Sequence, residues 1–162
     1  MKKVLLSLAL VGTAFTYANA QGNLDKGNSQ INAGVGFSGW GVPVYAGFDY
    51  GVTNDISLGA EASFVSRNYV GYNFSVIGIG VNGNYHFNEI LNIPEKMDFY
   101  AGVTLGYYIY NSPSGYAGTS FSGIGWGGQV GFRYFFTEKF GVNLQAGGGT
   151  VSGGRLGVTF KL

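Results

Sequence analysis

The chain has 162 residues, a formal net charge of +1, 30 glycines, three prolines and no cysteine; charged residues make up 10% and aromatic residues 17%. Without cysteine, a disulfide framework, a thiol nucleophile and a thiolate metal site are excluded. The balanced charge, without basic runs, argues against nucleic-acid binding, and the high aromatic content argues against a disordered glycine-rich chain.

The first twenty residues have the three parts of a secretory signal peptide. Met1–Lys3 is a positive start, Val4–Phe15 an apolar core and Ala18–Ala20 a small-residue cleavage site. The apolar core is too short to span a bilayer as a helix, and a retained N-terminal anchor is the alternative. We therefore expect a cleaved signal peptide at 1–20 and a single domain at 21–162, exported to the periplasm with a net charge near −1.

After a polar start at 21–28, apolar residues alternate with small or polar ones in eight stretches, and the apolar face carries no charge. A period of two predicts β-strands with differently solvated faces. The apolar positions of the eight stretches run through Ile31–Phe37, Val42–Tyr50, Ile56–Phe64, Ile77–Phe87, Met97–Ile109, Ile124–Phe136, Val142–Gly148 and Leu156–Leu162. The opposite face is rich in glycine and poor in charge. We therefore expect apolar side chains to face lipid and small or polar ones to face a lumen. A soluble lipocalin-like barrel, the rival fold, would need a polar outer face.

An even number of antiparallel strands with both ends on one side predicts a closed barrel with periplasmic termini. The connectors then fall into two sets. The predicted inner connectors are Gly51–Asp55, Asn88–Lys96 and Thr137–Lys139, and the predicted outer loops are Ser38–Gly41, Val65–Asn73, Asn111–Ser120 and Gly149–Gly154. Asn88–Lys96 is long for an inner turn and is interpreted as a short periplasmic cap. The length leaves no room for a sixteen-stranded porin or a peptidoglycan-binding domain.

Three segments resemble the small outer-membrane β-barrel domain family, the OmpA/OmpX-type barrels of Gram-negative bacteria: Tyr50–Ile56, Phe135–Gly141 and Gly157–Leu162. The resemblance covers the whole of 21–162. It implies an all-β, eight-stranded antiparallel up-and-down transmembrane barrel, integral to the cell outer membrane and in contact with its lipids, including lipopolysaccharide.

The resemblance also implies recognition by the barrel-insertion machinery. In the family, this machinery reads a last strand that alternates and finishes on an aromatic residue. Here the matching positions are Val158, Phe160 and Leu162, so the final residue departs from the aromatic pattern.

Two segments match the G-x-G-x-x-G pattern of dinucleotide sites, Gly78–Gly83 and Gly123–Gly128. Such a site needs a helix after the glycines, so that the helix N-terminus faces the pyrophosphate. No helical pattern follows either segment. We therefore interpret both matches as a product of alternating glycine on the inward strand face.

Inward glycines leave room for large inward aromatic residues, a device that curves and stabilises barrels. The predicted inward aromatic residues are Tyr45, Tyr100, Tyr108 and Phe135. Because an eight-stranded barrel is only wide enough for side chains, we expect a packed lumen instead of an open pore.

Buried charges must be paired or neutralised, and several charged residues fall on the inward face. The predicted lumen ionic network consists of Asp49, Glu61, His86, Asp98, Arg133 and Lys161, with Arg155 nearer the outer end. His86, Asp98 and Arg133 lie on consecutive strands and are expected to be neighbours. The network is interpreted as an ionic plug, and a gate for small solutes or protons is the alternative.

The tyrosines of the outer loops have two interpretations. Tyr69, Tyr72 and Tyr116 stand among serine, asparagine and glycine, a composition that suits adaptable binding surfaces. The alternative assigns them to an interfacial aromatic girdle. Its other members would be Trp40, Phe64, Phe74 and Trp126.

No catalytic role is expected. Acyl-transfer chemistry in barrels of this architecture needs a histidine with a serine and an acidic partner near the outer leaflet. The single histidine, His86, is predicted at the periplasmic end, and one histidine is weak support for a metal site. No cofactor is expected. The sequence favours a structural or surface-interaction barrel, with a narrow porin-like channel for small solutes as the alternative.

Overall fold

The computed structural model describes residues 24–69, 71–113, 122–148 and 153–162, so the predicted signal peptide and Tyr116 lie outside the described residues. These residues form eight strands: β1 Ser29–Phe37, β2 Val44–Gly51, β3 Ile56–Tyr69, β4 Tyr72–His86, β5 Met97–Asn111, β6 Gly123–Phe135, β7 Phe140–Gly147 and β8 Gly154–Lys161. Within the described ranges, no helix is long and apolar enough to cross a membrane.

The strands close into an antiparallel barrel in which each strand pairs with the next and β1 pairs with β8. This confirms the predicted fold class. We call the end at which β1 begins and β8 ends the proximal end, and the opposite end the distal end. Both G-x-G-x-x-G segments lie within strands, the first in β4 and the second in β6.

The two faces of the sheet are solvated as the alternation predicts. Large apolar side chains such as Ile79, Val103 and Trp126 point outward and are exposed. Polar and charged side chains of the same strands, such as Asn82 and Thr104, point inward and are buried. A soluble barrel has the opposite arrangement, so the inside-out prediction is confirmed and the lipocalin-like alternative is wrong.

The predicted outer loop at Val65–Asn73 is wrong. β3 and β4 continue through this segment as a paired ladder that ends with Tyr69 opposite Tyr72. Gly71, next to Tyr72, has a φ of 80°, a backbone conformation that glycine adopts without strain. The segment is rich in polar residues, and that composition is also typical of a loop.

The strands differ in length, so the distal rim of the barrel is stepped. β3, β4 and β5 have 14, 15 and 15 residues, whereas β2, β7 and β8 have eight each. At the distal rim, two predicted strand positions fall outside the short strands. Val42 precedes β2, and Gly148 follows β7 with a φ of 79°.

The chain before β1, predicted as an exposed polar start, is exposed at Lys26, Gly27 and Asn28 but not at Leu24. Leu24 is fully buried. The amide of Gly27 donates to the Gly51 carbonyl at 2.8 Å, and the amide of Gly51 donates to the Asn28 carbonyl at 3.0 Å. A Cβ at Gly51 would overlap the carbonyl oxygens of Leu24 and Asp25. This segment therefore packs against the proximal end of β2.

The connector predicted as a periplasmic cap, Asn88–Lys96, is a series of turns bonded to its own hairpin and, through the Lys96 carbonyl, to Phe135 of β6. The amide of Leu91 donates to the Phe87 carbonyl at 3.0 Å, and the Asn88 side chain donates to the Met97 carbonyl. Ile90 and Leu91 are more than 60% exposed. No residue of the connector is buried, whereas Leu24, before β1, is fully buried.

Candidate functional site

The proximal half of the lumen holds a cluster of buried charges. The register places Asp98 of β5 directly opposite Arg133 of β6, and Arg133 Nη1 donates to Asp98 Oδ2 at 2.7 Å. The other carboxylate oxygen of Asp98 lies 2.7 Å from His86 Nδ1. Arg133 Nη2 reaches across the lumen to Asp49 Oδ2 on β2 at 3.0 Å. The three residues expected to be neighbours therefore do meet, and Asp49 joins them.

Neutral side chains extend this cluster around the barrel. Asp49 Oδ2 also accepts hydrogen bonds from the amide nitrogens of Gln30 and Asn32, at 3.0 and 2.8 Å. The Thr159 hydroxyl donates to Asn32 Oδ1 at 2.7 Å and accepts from Asn143 Nδ2 at 2.9 Å.

The hydrogen-bonded set therefore contains at least one side chain from every described strand. We call it the proximal network. Its members are Gln30, Asn32, Tyr45, Asp49, Ser57, His86, Asp98, Arg133, Asn143 and Thr159.

Three members of the proximal network have the order of a nucleophilic triad. Ser57 Oγ lies 2.9 Å from His86 Nε2, and His86 Nδ1 lies 2.7 Å from Asp98. Because a carboxylate only accepts, Nδ1 is the donor, and a neutral imidazole then accepts the Ser57 hydroxyl at Nε2. All three side chains are fully buried. A substrate carbonyl cannot reach Ser57 Oγ in this conformation, although a hydrolytic triad requires such an approach.

Glu61 lies apart from the proximal network, nearer the distal end. Its two carboxylate oxygens accept from Arg155 Nη1 and Nη2, each at 2.6 Å. This is the bidentate geometry that makes arginine–carboxylate pairs strong. The Arg155 guanidinium also lies 4.9 Å from the centroid of the Tyr45 ring. Tyr45 donates its hydroxyl to Asn143 at 2.6 Å and so connects this pair to the network.

The distal half of the lumen is apolar beyond the Arg155–Glu61 pair. Val65, Val76 and Tyr108 are buried together, and Tyr110 packs against them. Val65 and Val76 are opposite each other in the β3–β4 ladder. We call these three buried residues the distal cluster. It forms on the long strands β3, β4 and β5, and Val65 lies in the segment that the sequence predicts as loop.

Aromatic rings cover inward glycines, as predicted. A Cβ at Gly131 would overlap the Tyr100 ring, and that ring lies 4.1 Å from the Arg133 guanidinium. Near the proximal end, Lys161 Nζ lies 4.4 Å from the centroid of the fully buried Phe135 ring. Lys161 is thus in the lumen, where its strand phase predicts it.

A polar cavity of about 30 Å³ lies between the two charged groups and is lined by residues of both, including Asp49, Arg133, Glu61 and Arg155. That volume holds roughly one or two water molecules. Among the described residues, no group of three or more histidine, cysteine or acidic side chains is placed to hold a metal ion.

The predicted surface aromatic residues do not form a site within the described residues. Tyr69 ends β3 and Tyr72 begins β4, where its side chain is exposed. Trp40 lies in the turn after β1 and meets the Tyr110 ring edge-on at 5.7 Å. At the other end of the barrel, the outward side chains of Val158, Phe160 and Leu162 are exposed.

Five neutral members of the proximal network were not predicted from the sequence: Gln30, Asn32, Ser57, Asn143 and Thr159. The strand phase places them on the inward face near the proximal end. A polar side chain at such a position would have been enough to predict them as members. They carry no charge, so the pattern of charged residues alone does not identify them.

Known structures share this barrel. The N-terminal β-barrel domain of Pseudomonas aeruginosa OprF matches with a TM-score of 0.60 and 20% identity, covering 85% of this chain and 98% of that one. Neisserial surface protein A matches with a TM-score of 0.58 and 18% identity, covering 83% and 95%. The outer membrane protein OprG from Pseudomonas aeruginosa matches with a TM-score of 0.65 and 11% identity, covering 90% and 99%.

The fold is therefore that of the small eight-stranded outer-membrane β-barrels, as the resemblance predicts. No protein-family model matches the sequence, and no curated protein matches it significantly. At identities of 20% or less, the structural likeness defines the fold and leaves the function to the residues of this chain.

Proposed function

We propose that the chain is an integral outer-membrane barrel with a structural or surface-interaction role, and that its lumen is closed by side chains. Its proximal end would face the periplasm after export and removal of residues 1–20. The observation that carries the membrane assignment is the exposed apolar outer face, since soluble proteins rarely expose apolar patches larger than a few hundred Å². The fold shared with OprF, OprG and Neisserial surface protein A supports the same assignment.

The proposal of a closed lumen rests on the proximal network. Its side chains join every described strand across the lumen, and the cavity above it has room for roughly one or two water molecules. The distal cluster narrows the other end from one side, on β3, β4 and β5. A hydrated solute would have to break several of these contacts to pass.

The same geometry argues against a catalytic role. The Ser57 hydroxyl has the right neighbours for a nucleophile, but it is fully buried beneath the proximal end. We therefore assign Ser57 and His86 a structural role, in which each satisfies the polar groups of the other.

A narrow channel for small solutes is the second candidate. The polar cavity between Arg133 and the Arg155–Glu61 pair favours it, because rearrangement of either charged group would extend a polar path. Recognition of the last strand by the barrel-insertion machinery, and contact with lipopolysaccharide, are proposed for either function. The exposed outward positions Val158, Phe160 and Leu162 are consistent with that recognition.

Solute efflux from vesicles separates the two candidates. The folded chain is reconstituted into vesicles loaded with a small zwitterionic solute, and release is compared with protein-free vesicles and with vesicles that contain a known porin. We expect release at the protein-free rate. Release that rises with the amount of inserted protein would contradict a closed lumen and support the channel.

A further inference from the structure

The outer face of the barrel has a groove of about 470 Å³ near the proximal end. Two adjacent rows of outward residues cross β5, β6 and β7. The row nearer the proximal end is bulky and contains Phe99, Phe132 and Leu144; the next row is small and contains Ala101, Val130 and Ala146. The step from bulky to small side chains forms the floor and one wall of the groove.

The connector between β4 and β5 supplies a further wall. Phe87 and Leu91 both line the groove, and the Leu91 amide is bonded to the Phe87 carbonyl. The connector therefore folds against the outer surface of the barrel. This position, and not a cap over the lumen, explains its unusual length. The neighbouring Ile90 is 67% exposed and extends the apolar surface.

Charged side chains of both signs border the proximal end of the same three strands. Lys96 and Glu95 lie at the end of the connector, and Glu138 and Lys139 lie in the turn between β6 and β7; all four are exposed. The backbone links the two sides, because the Phe135 amide donates to the Lys96 carbonyl at 2.8 Å. Lysine ammonium groups attract a phosphate, and glutamate carboxylates attract an ammonium group.

We propose that this groove binds one acyl chain of a phospholipid whose headgroup carries both a phosphate and an ammonium group. The groove is lined almost entirely by apolar side chains and is continuous with the exposed apolar face of the barrel, so an acyl chain matches its lining. The mixed charges at its proximal end match a zwitterionic headgroup better than a purely anionic one. The inference rests on the proposed membrane insertion, with the proximal end at one membrane surface.

The test is lipid retention by the full chain. Wild-type protein and variants are reconstituted in vesicles of mixed phosphatidylethanolamine and phosphatidylglycerol, extracted in mild detergent and weighed by native mass spectrometry. Ala146→Leu and, independently, Ala101→Leu fill the groove. Ala46→Leu is the matched control, because Ala46 is an outward, exposed alanine on β2, away from the groove.

We expect the wild type and Ala46→Leu to retain one phosphatidylethanolamine, and each groove variant to retain at least fivefold less. Equal retention by the groove variants and the control would overturn the proposal, as would retention of phosphatidylglycerol alone, a dimer without lipid, or no retained lipid. Membrane insertion is measured on the same samples by quenching of tryptophan fluorescence with brominated acyl chains. Insertion without selective retention overturns the groove alone, whereas failure to insert overturns the proposed function as well.

Discussion

The two halves of the lumen are filled by different physical means. In the proximal half, charged and polar side chains satisfy one another across the barrel, so that Asp49 accepts from three partners and Asp98 from two. In the distal half, one bidentate ion pair lies below an apolar cluster. The same barrel can therefore fill its lumen in two ways. Inward side chains form hydrogen bonds at one end and pack as apolar groups at the other.

The proximal arrangement also fixes the register of the strands. A slip by one residue would turn every side chain to the opposite face, and it would place the carboxylate of Asp98 on the apolar outer surface. The distal cluster is less selective, because valine and tyrosine are tolerated on either face. We therefore expect substitutions in the proximal half to lower the free energy of unfolding more than substitutions in the distal half.

The largest effect is expected for Arg133→Met. The substitution removes the cation shared by Asp98 and Asp49, and breaking a buried ion pair by removing one partner costs about 3–5 kcal/mol. The measurement is the free energy of unfolding in detergent micelles, followed by the difference in gel mobility between heated and unheated samples.

A double variant tests the reason for that loss. Arg133→Met with Asp98→Asn should recover part of the stability, since one of the two stranded carboxylates is removed. Full recovery is not expected, because Asp49 keeps its charge. Unchanged stability in the single variant would show that the strand pairing between β5 and β6 is wrong.

Arg155→Met should have a smaller effect. It leaves the Glu61 carboxylate without its bidentate partner, and hydrogen bonds to charged groups contribute about 1.5–3 kcal/mol. The same unfolding measurement applies. A loss as large as that of Arg133→Met would remove the distinction between the two halves of the lumen.

Gly131→Val tests the packing of the Tyr100 ring. A Cβ at this position overlaps the ring, and overpacking of this kind costs about 1–3 kcal/mol. Gly128→Val is the matched control on the same strand, because Gly128 faces outward and a Cβ there meets only a distant carbonyl. Destabilisation by the control and not by Gly131→Val would mean that the inward and outward faces are exchanged.

The smallest effect is expected for Ser57→Ala. Loss of the hydroxyl leaves His86 Nε2 without a partner, at a cost of about 1 kcal/mol. We also expect no labelling of the wild-type protein by a fluorophosphonate probe, because Ser57 is fully buried. Stoichiometric labelling that Ser57→Ala abolishes would contradict the structural role and indicate a reactive serine.

The alternation of residues was sufficient to predict the strands, their antiparallel closure and which face of each strand points outward. The period of two is set by backbone geometry and is present in every strand. It also predicts which inward charged side chains lie close together. The contact between Asp98 and Arg133 therefore follows from strand phase and strand order alone.

Three features could not be predicted from the same pattern. The extension of β3 and β4 through Val65–Asn73 depends on hydrogen bonding between polar strands, and polar strands have the composition of loops. The pairing of Glu61 with Arg155 across the lumen depends on the stagger of the strands, which sequence phase does not define. The burial of Leu24 depends on where the preceding chain folds, and a single apolar residue in a polar segment gives no sign of that.

The most direct test of the account is planar-bilayer recording of three proteins: the wild type, Arg133→Ala and Arg155→Ala. If the proximal network closes the lumen, the wild type and Arg155→Ala should be silent, and Arg133→Ala should show frequent small conductance steps. A steady conductance in the wild type, or openings in Arg155→Ala and none in Arg133→Ala, would contradict the claim that the proximal network closes the barrel.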